Sequence, residues 1–404
     1  MALPLVNSAV DCADFSSTVS PYLHQLPALP KALFETAASP SATAIYQLFV
    51  DTNPLISAFF FSLALALVFL LTSQVNNNYS QVDRCWSILP AVYVLHFALY
   101  AHATGLESTR LDLLLVITLL WGIRLTFNYA RKGGYKIGSE DYRWAIVRQH
   151  ISPPLFFVVN VLFISLSQSV LLFLFTSPAY VLLVAARLST PFDASHLLSI
   201  FSPTSTVPTV KIQTLPALDA LDLIIAFLLV LCILGALVAD NQQWSFQSAK
   251  HAYLSTAKLP KGSTYSAAQL DLGFNTAGLW RYSRHPNFLF EQSFWILLYF
   301  WTVLRTGKNS WAGVGALAYL ALFQASTWLT ELISARKYEG YRIYQERVGM
   351  FLPRLSGGGW DESAMRQAQH RPSLKKKKSA TESILIEREE GEDKVKAKER
   401  YHLR

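Results

Sequence analysis

The sequence predicts an all-α, polytopic membrane helical bundle of about seven transmembrane helices. Three observations predict it: 52% of the residues are hydrophobic, only 15% are charged, and the mean hydropathy is positive at +0.27. One soluble core cannot use that much apolar surface, whereas a membrane helix needs about 20 mostly apolar residues. Stretches of that kind are placed near 54–71, 86–102, 111–129, 155–176, 220–239, 289–304 and 311–331. The fourth can run on toward Val184, and the sixth is short.

Three cysteines, Cys12, Cys85 and Cys232, show neither CxxC nor metal spacing, and an odd count is no disulfide framework. No metal site is expected. The net charge of +8 comes largely from loops and tail, so it points to an anionic membrane face rather than to nucleic acid, for which no motif is present.

Residues 1–50 are proline-studded and lack a basic stretch running directly into an apolar one, so they read as a loosely ordered head rather than a cleaved signal peptide. The membrane domain then occupies 51–355. Its first span opens after Pro54 and runs through Phe59, Phe60 and Phe61 to Leu71. Ahead of the second lies Gln81-Val82-Asp83-Arg84-Cys85-Trp86, polar for a bilayer boundary. A charge at mid-membrane costs roughly 2.5 to 3.5 kcal/mol on insertion scales, so charges near spans are paired, snorkelling or functional. Asp83 beside Arg84 is an interfacial pair or part of a site.

On the third span Arg124, Asn128 and Arg131 fall at i, i+4 and i+7, a polar stripe that should face protein or water. Gly133 and Gly134 end that helix, and Glu140-Asp141-Tyr142-Arg143-Trp144 follows in a charged loop, as a site or as salt-bridged scaffolding. The fourth span, entered after Pro153-Pro154, carries Asn160, Ser165, Ser167 and Gln168, which suit packing between membrane helices. Residues 188–219, rich in Ser, Thr and Pro, have the profile of a non-cytosolic loop.

The fifth span leads into Asp240, Gln243, Gln247 and Lys250 at i, i+3, i+7 and i+10, one line on a continuing helix that either reads a ribose or amide or is a solvated face. Then comes Trp280-Arg281-Tyr282-Ser283-Arg284-His285-Pro286-Asn287-Phe288, with Glu291 one turn beyond Asn287. Pro286 suits a first helical turn, whose unpaired backbone donors favour anions. Arg281, Arg284 and Asn287 recur every three residues, so they gather on one side able to hold phosphate or carboxylate oxygens, unless the arginines are only membrane anchors. After the seventh span, Lys337, Tyr341 and Tyr344 share a helical face that could complete such a pocket. From 356 onward, through Lys375 to Lys378, the composition is that of a disordered charged tail.

The segments Arg131–Arg148 and Lys250–Arg284 and the tail carry the excess of Lys and Arg, which assigns them to the cytosol together with the C-terminus.

Gly278 through Phe288 with Glu291, and Lys337-Tyr338-Glu339-Gly340-Tyr341 ahead of Leu352-Pro353, resemble the C-terminal domain of the steroid 5-alpha-reductase superfamily. The resemblance covers about Asp83 to Pro353. It is nearest to a poorly characterised branch whose members share the Gln81–Trp86, Arg131–Tyr135 and Glu140–Trp144 stretches, and more distant from sterol reductases. It implies an all-helical reductase of the endoplasmic reticulum membrane. Such an enzyme gives hydride from NADPH to a carbon–carbon double bond of a lipid or steroid-like substrate.

Carried over by position, Asp240, Asn287, Glu291 and Tyr341 match cofactor contacts, and Arg281, Arg284 and His285 join them on motif grounds. Gln243, Gln247, Lys337 and Tyr344 complete the candidate cofactor set. Gln247 stands where the steroid enzymes have an arginine, and their N-terminal Gln-Glu substrate motif is not evident. The candidate acids are Asp83, Glu140, Asp141 and Tyr142, since a carboxyl beside an apolar boundary can hold its proton at neutral pH. Two alternatives remain. Isoprenylcysteine and phospholipid methyltransferases are similar in their Arg-His-Pro helix start and in a Glu before a Tyr-rich helix, here Glu331 to Tyr344, but they use S-adenosylmethionine. The other alternative is a non-catalytic membrane or sterol-binding protein.

Overall fold

The computed structural model describes residues 1–189, 215–354 and 359–369, and within them regular structure is helical. The proposed non-cytosolic loop is for the most part outside the described residues, as is the tail from 370 on, with Lys375 to Lys378. Five helical segments are long and apolar enough to cross a membrane: Pro54–Asn76, Thr109–Arg131, Pro153–Leu188, Ala220–Thr256 and Gly313–Lys337. Leu89–Ala103 is a shorter apolar helix. The chain is therefore an integral membrane protein of helical type.

Of the seven expected spans, five are met by long apolar helices and one by this shorter helix among the described residues. Helices do occupy all seven expected places, but Leu89–Ala103 is short, and Pro286–Thr306 carries Asn287, Glu291, Gln292 and Arg305 among its apolar residues.

The described chain divides into two compact units. The first comprises Met1–Val238 and Asn287–Ala325, the second Ala239–Pro286 and the described residues from Ser326 on. In the first unit the start of the first long helix has a local cause. Asn53 caps Pro54–Asn76 by accepting from Leu55 N at 3.0 Å, and Pro54 fills the first turn, where its missing N–H is harmless. Leu89–Ala103 packs on Thr109–Arg131, and Pro54–Asn76 packs on Gln168–Leu174. The core is heavily aromatic: Trp295 lies 5.0 Å from Trp121 and 4.3 Å from Phe175, whose ring is 4.8 Å from Tyr319. On the outside, Leu67, Leu71, Ile123, Phe127 and Phe227 are exposed, apolar surface that lipid would cover.

The helix that begins at Pro153 widens to a π-helix over Asn160–Ser167. Ser165 Oγ donates to Asn160 Oδ1 and Ser167 Oγ to Leu162 O, both five residues back, as the wider turn allows. Asn160 Nδ2 donates to Ser73 Oγ at 2.9 Å, so the predicted packing role holds for this residue.

Residues 1–50, expected to be loosely ordered, include the helices Gln25–Ala38 and Ala42–Asp51, with Cys12 and Thr18 fully buried. Tyrosine hydroxyls tie the head down: Tyr100 bonds Val50 O and Ala2 N, and Tyr180 bonds Thr18 O. In the second unit, Leu272, Phe274, Tyr341, Tyr344, Trp360 and Ala364 form a small core. Helix Glu362–Gln369 joins it through Ala364 and Ala368, a stretch the composition had assigned to the disordered tail.

Candidate functional site

Within the first unit, the polar stretch around Asp83 and the charged loop around Glu140 interlock. Arg84 Nη2 and Asn78 Nδ2 both donate to Ser139 O at 2.9 Å, and Tyr135 OH donates to Arg84 O at 3.1 Å. Glu140 accepts from Tyr79 N at 2.9 Å and pairs with Arg148. Asp141 caps helix Tyr142–His150, accepting from Arg143 N and holding the Arg143 guanidinium through both carboxylate oxygens. Both acids are thus committed to structural partners. The Tyr142 side chain lies outside the described residues.

Asp83 differs. Its Oδ2 is buried without a hydrogen-bond partner, and burial raises the carboxyl pKa above its ordinary value, while the nearby Arg143 guanidinium and the Ser80 and Trp144 side chains pull the other way.

Two further networks organise this unit. Glu291 is buried and fully engaged, accepting from Trp121 Nε1 at 2.8 Å, Tyr319 OH at 3.1 Å and Arg124 Nη2 at 2.5 Å. The predicted stripe therefore turns inward, with Asn128 also buried and accepting from Arg131 Nε at 3.0 Å. Asn287 sits one residue past the Pro286 that opens Pro286–Thr306. Asp222, fully buried, is the hub of the other network. Its Oδ1 accepts from Arg110 Nε at 3.0 Å and Trp301 Nε1 at 2.6 Å and lies 3.0 Å from Arg305 Nε. Arg110, Asp222 and Arg305 stand outside the residues that the sequence motifs single out. Their signal was an ionisable residue within one turn of the end of each helix.

In the second unit, Arg284 is enclosed. Nε and Nη2 grip Glu331 at 2.6 and 2.9 Å, and Nη1 donates to Gln345 O and Val348 O. His285 Nε2 stands 3.0 Å from the same Glu331, whose other oxygen also accepts from Gln345 Nε2. Backbone bonds from Arg284 N to Gly349 O and from His285 N to Met350 O fix the strand-like pass that carries both side chains. Arg284 and His285 thus serve one carboxylate, an arrangement that neutralises and orients Glu331.

Tyr344 OH donates to Trp280 O and Ser283 O, and Tyr341 packs its ring 5.1 Å from Phe274. Burial raises both phenol pKa values, so both keep their protons at neutral pH. Arg281 and Lys337 remain exposed, each with its cation over a neighbouring tyrosine ring. The line Asp240, Gln243, Gln247 and Lys250 does lie on one helix, with Asp240 and Lys250 buried and the glutamines half-buried. Lys250 Nζ donates to Gly273 O at 3.0 Å.

The chain belongs to the DUF1295 family. That family is described as proteins of unknown function, and it matches residues 68–201 and 192–348. A relative from Schizosaccharomyces pombe (strain 972), described as uncharacterized protein C594.04c, is 35% identical over 360 residues. The alignment covers 89% of this chain and 95% of the relative. No solved structure matches. The DUF1295 match takes in Asp83, Glu140, Asp141, Glu291, Arg284 and Glu331.

Proposed function

We propose that this protein is an NADPH-dependent membrane reductase acting on a carbon–carbon double bond of a lipid or steroid-like substrate. The observation that carries the proposal is Asp83, the one of the three described candidate carboxylates whose buried oxygen lacks a partner and whose burial favours the protonated form. Reduction of an alkene needs a hydride and a proton, and a carboxyl that keeps its proton beside an apolar bundle is suited to supply the second.

The residues present fit the cofactor. Arg281 and Lys337 offer exposed cations for phosphate, while buried polar atoms of Gln243, Asn275 and Thr276 lack partners. NADPH would supply the hydride. Asp83 would protonate the acceptor or hydrogen-bond its carbonyl oxygen through Oδ2. Arg284 and His285 would act indirectly, by holding Glu331. The cytosolic placement of the C-terminus and an endoplasmic reticulum membrane belong to the same proposal, supported by the Lys and Arg excess of the relevant loops.

The test is binding of NADPH and of S-adenosylmethionine to the full-length protein in detergent, followed by NADPH consumption with unsaturated lipids and sterols. NADPH binding, with consumption lost but binding retained in Asp83→Asn, is expected. Binding of S-adenosylmethionine alone overturns the proposal in favour of methyl transfer, and binding of neither overturns it in favour of a non-catalytic role.

A further inference from the structure

Within the second unit the loop from Gly273 to Trp280 runs along the helix that carries Asp240 to Lys250, held at both ends. At one end Lys250 Nζ donates to Gly273 O at 3.0 Å. At the other, Leu279 N donates to Gln242 Oε1 at 2.9 Å and Trp280 Nε1 to Ala239 O at 3.1 Å. Loop and helix therefore run in opposite directions, and Asn275 and Thr276 lie between the two anchored ends, as Gln243 and Gln247 do on the helix. The close approach depends on Gly278, which has φ +62° and a Cβ position that would fall 2.5 Å from the Gln242 side chain.

The loop carries an unusual polar deficit. Asn275 and Thr276 are 3% and 4% exposed, yet Asn275 Nδ2 and Thr276 Oγ1 have no hydrogen-bond partner, and neither does the buried Oε1 of Gln243. The orientation of Asn275 is not arbitrary, because its Oδ1 accepts from Ala277 N at 3.0 Å and so leaves the amino end unpaired. Buried polar groups are normally paired, and adjacent exceptions call for an explanation.

We infer that Asn275, Thr276 and Gln243 form a recognition subsite for an amide-like edge, an acceptor atom next to an amino group, on the bound nucleotide. Asn275 Nδ2 donates to the acceptor, Gln243 Oε1 takes the amino hydrogen, and the Thr276 hydroxyl serves either role. The adenine ring and the nicotinamide carboxamide both present this edge. The inference rests on the nucleotide-binding reading above and adds to it two residues, Asn275 and Thr276, that no motif singles out.

The test compares NADPH binding to the full-length protein with binding to Thr276→Val, Thr276→Ser and Asn275→Asp, with thermal stability measured on each without ligand. Thr276→Val should weaken NADPH binding about tenfold, the size of one lost hydrogen bond, while leaving the melting temperature unchanged or raised, since it deletes an unpaired group. Thr276→Ser should restore binding. Asn275→Asp keeps the acceptor for Ala277 N and reverses the donor, so it should also weaken binding. Competition by adenosine 2′,5′-bisphosphate or by nicotinamide mononucleotide, whichever loses potency in Thr276→Val, identifies the edge. Unaltered NADPH affinity in both Thr276→Val and Asn275→Asp, or a Thr276→Val that simply loses stability, overturns the subsite while the cofactor reading stands. A wild-type protein that binds no NADPH overturns both.

Discussion

Arg284 and Glu331 meet through two parallel bonds of 2.6 and 2.9 Å between the loop ahead of Pro286 and the helix Gly313–Lys337, both side chains buried. A buried pair of this kind is costly to break, because the survivor is left as an uncompensated charge. Glu331→Gln and Arg284→Ala should each destabilise the protein by about 3 to 5 kcal/mol, and the double variant by less than the sum. Thermal melts of the detergent-solubilised single and double variants check this; additive losses would show that the two residues do not act as a pair.

Asp222 should behave as a second point of failure. It accepts from Arg110 and Trp301, receives Asp219 N at 3.1 Å on its other oxygen, and stands against Arg305. Asp222→Asn leaves Arg110 short of its counter-charge, while Arg305 keeps Asp219, and is expected to cost about 3 kcal/mol, read as a drop in melting temperature and in the yield of monodisperse protein. Asp112→Asn is a suitable control. That carboxylate pairs with His102 where both side chains are largely exposed, and its loss should be within about 1 kcal/mol.

Gly315 allows a close helix contact. A Cβ there would fall 2.1 Å from Leu174 O, a backbone atom with no room to retreat. Gly315→Ala should destabilise by about 1 to 3 kcal/mol through overpacking, against the usual gain from alanine in a helix. Limited proteolysis and melting temperature report it; a neutral substitution would mean the two helices separate at little cost.

Asp83 predicts a pH dependence of definite sign. Its folded pKa is raised, so the folded protein holds the proton more tightly than the unfolded chain. The stability this contributes is fully present below the ordinary carboxyl pKa and is lost as pH rises through the folded value. Arg143 and Asp141 face the group with opposite signs, so the window is read as a difference between wild type and Asp83→Asn. The difference in melting temperature should change across the acid range, with the wild type gaining at the low end. A constant difference would show that the carboxyl titrates normally.

Much of the fold was legible because membrane helices announce themselves by length and apolarity: each expected stretch became helical, with ends marked by residues such as Pro54, Pro153 and Pro286. The head was hidden because Pro30 sits inside Gln25–Ala38 and reads locally as a break, and because groups far along the chain, such as Tyr100, Tyr180 and Arg187, fasten it. Of the candidate site, the inward stripe of Arg124 and Asn128 could be read from spacing alone. The pairing of Arg284 with Glu331 could not, since Arg281, Arg284 and Asn287 looked equally free to take an anion until a carboxylate far along the chain was seen to claim one of them. Asn275 and Thr276 gave no sequence signal, because a missing hydrogen bond is a property of packing.

The helix Thr109–Arg131 is gripped at two levels, by Asp222 through Arg110 and by Glu291 through Arg124. These grips are about four turns apart, roughly 21 Å along the axis at 1.5 Å per residue. A rod clamped at two heights can neither slide nor roll without breaking an ion pair at each. Within the first unit this helix is the stator, and any working motion there has to be carried by its neighbours.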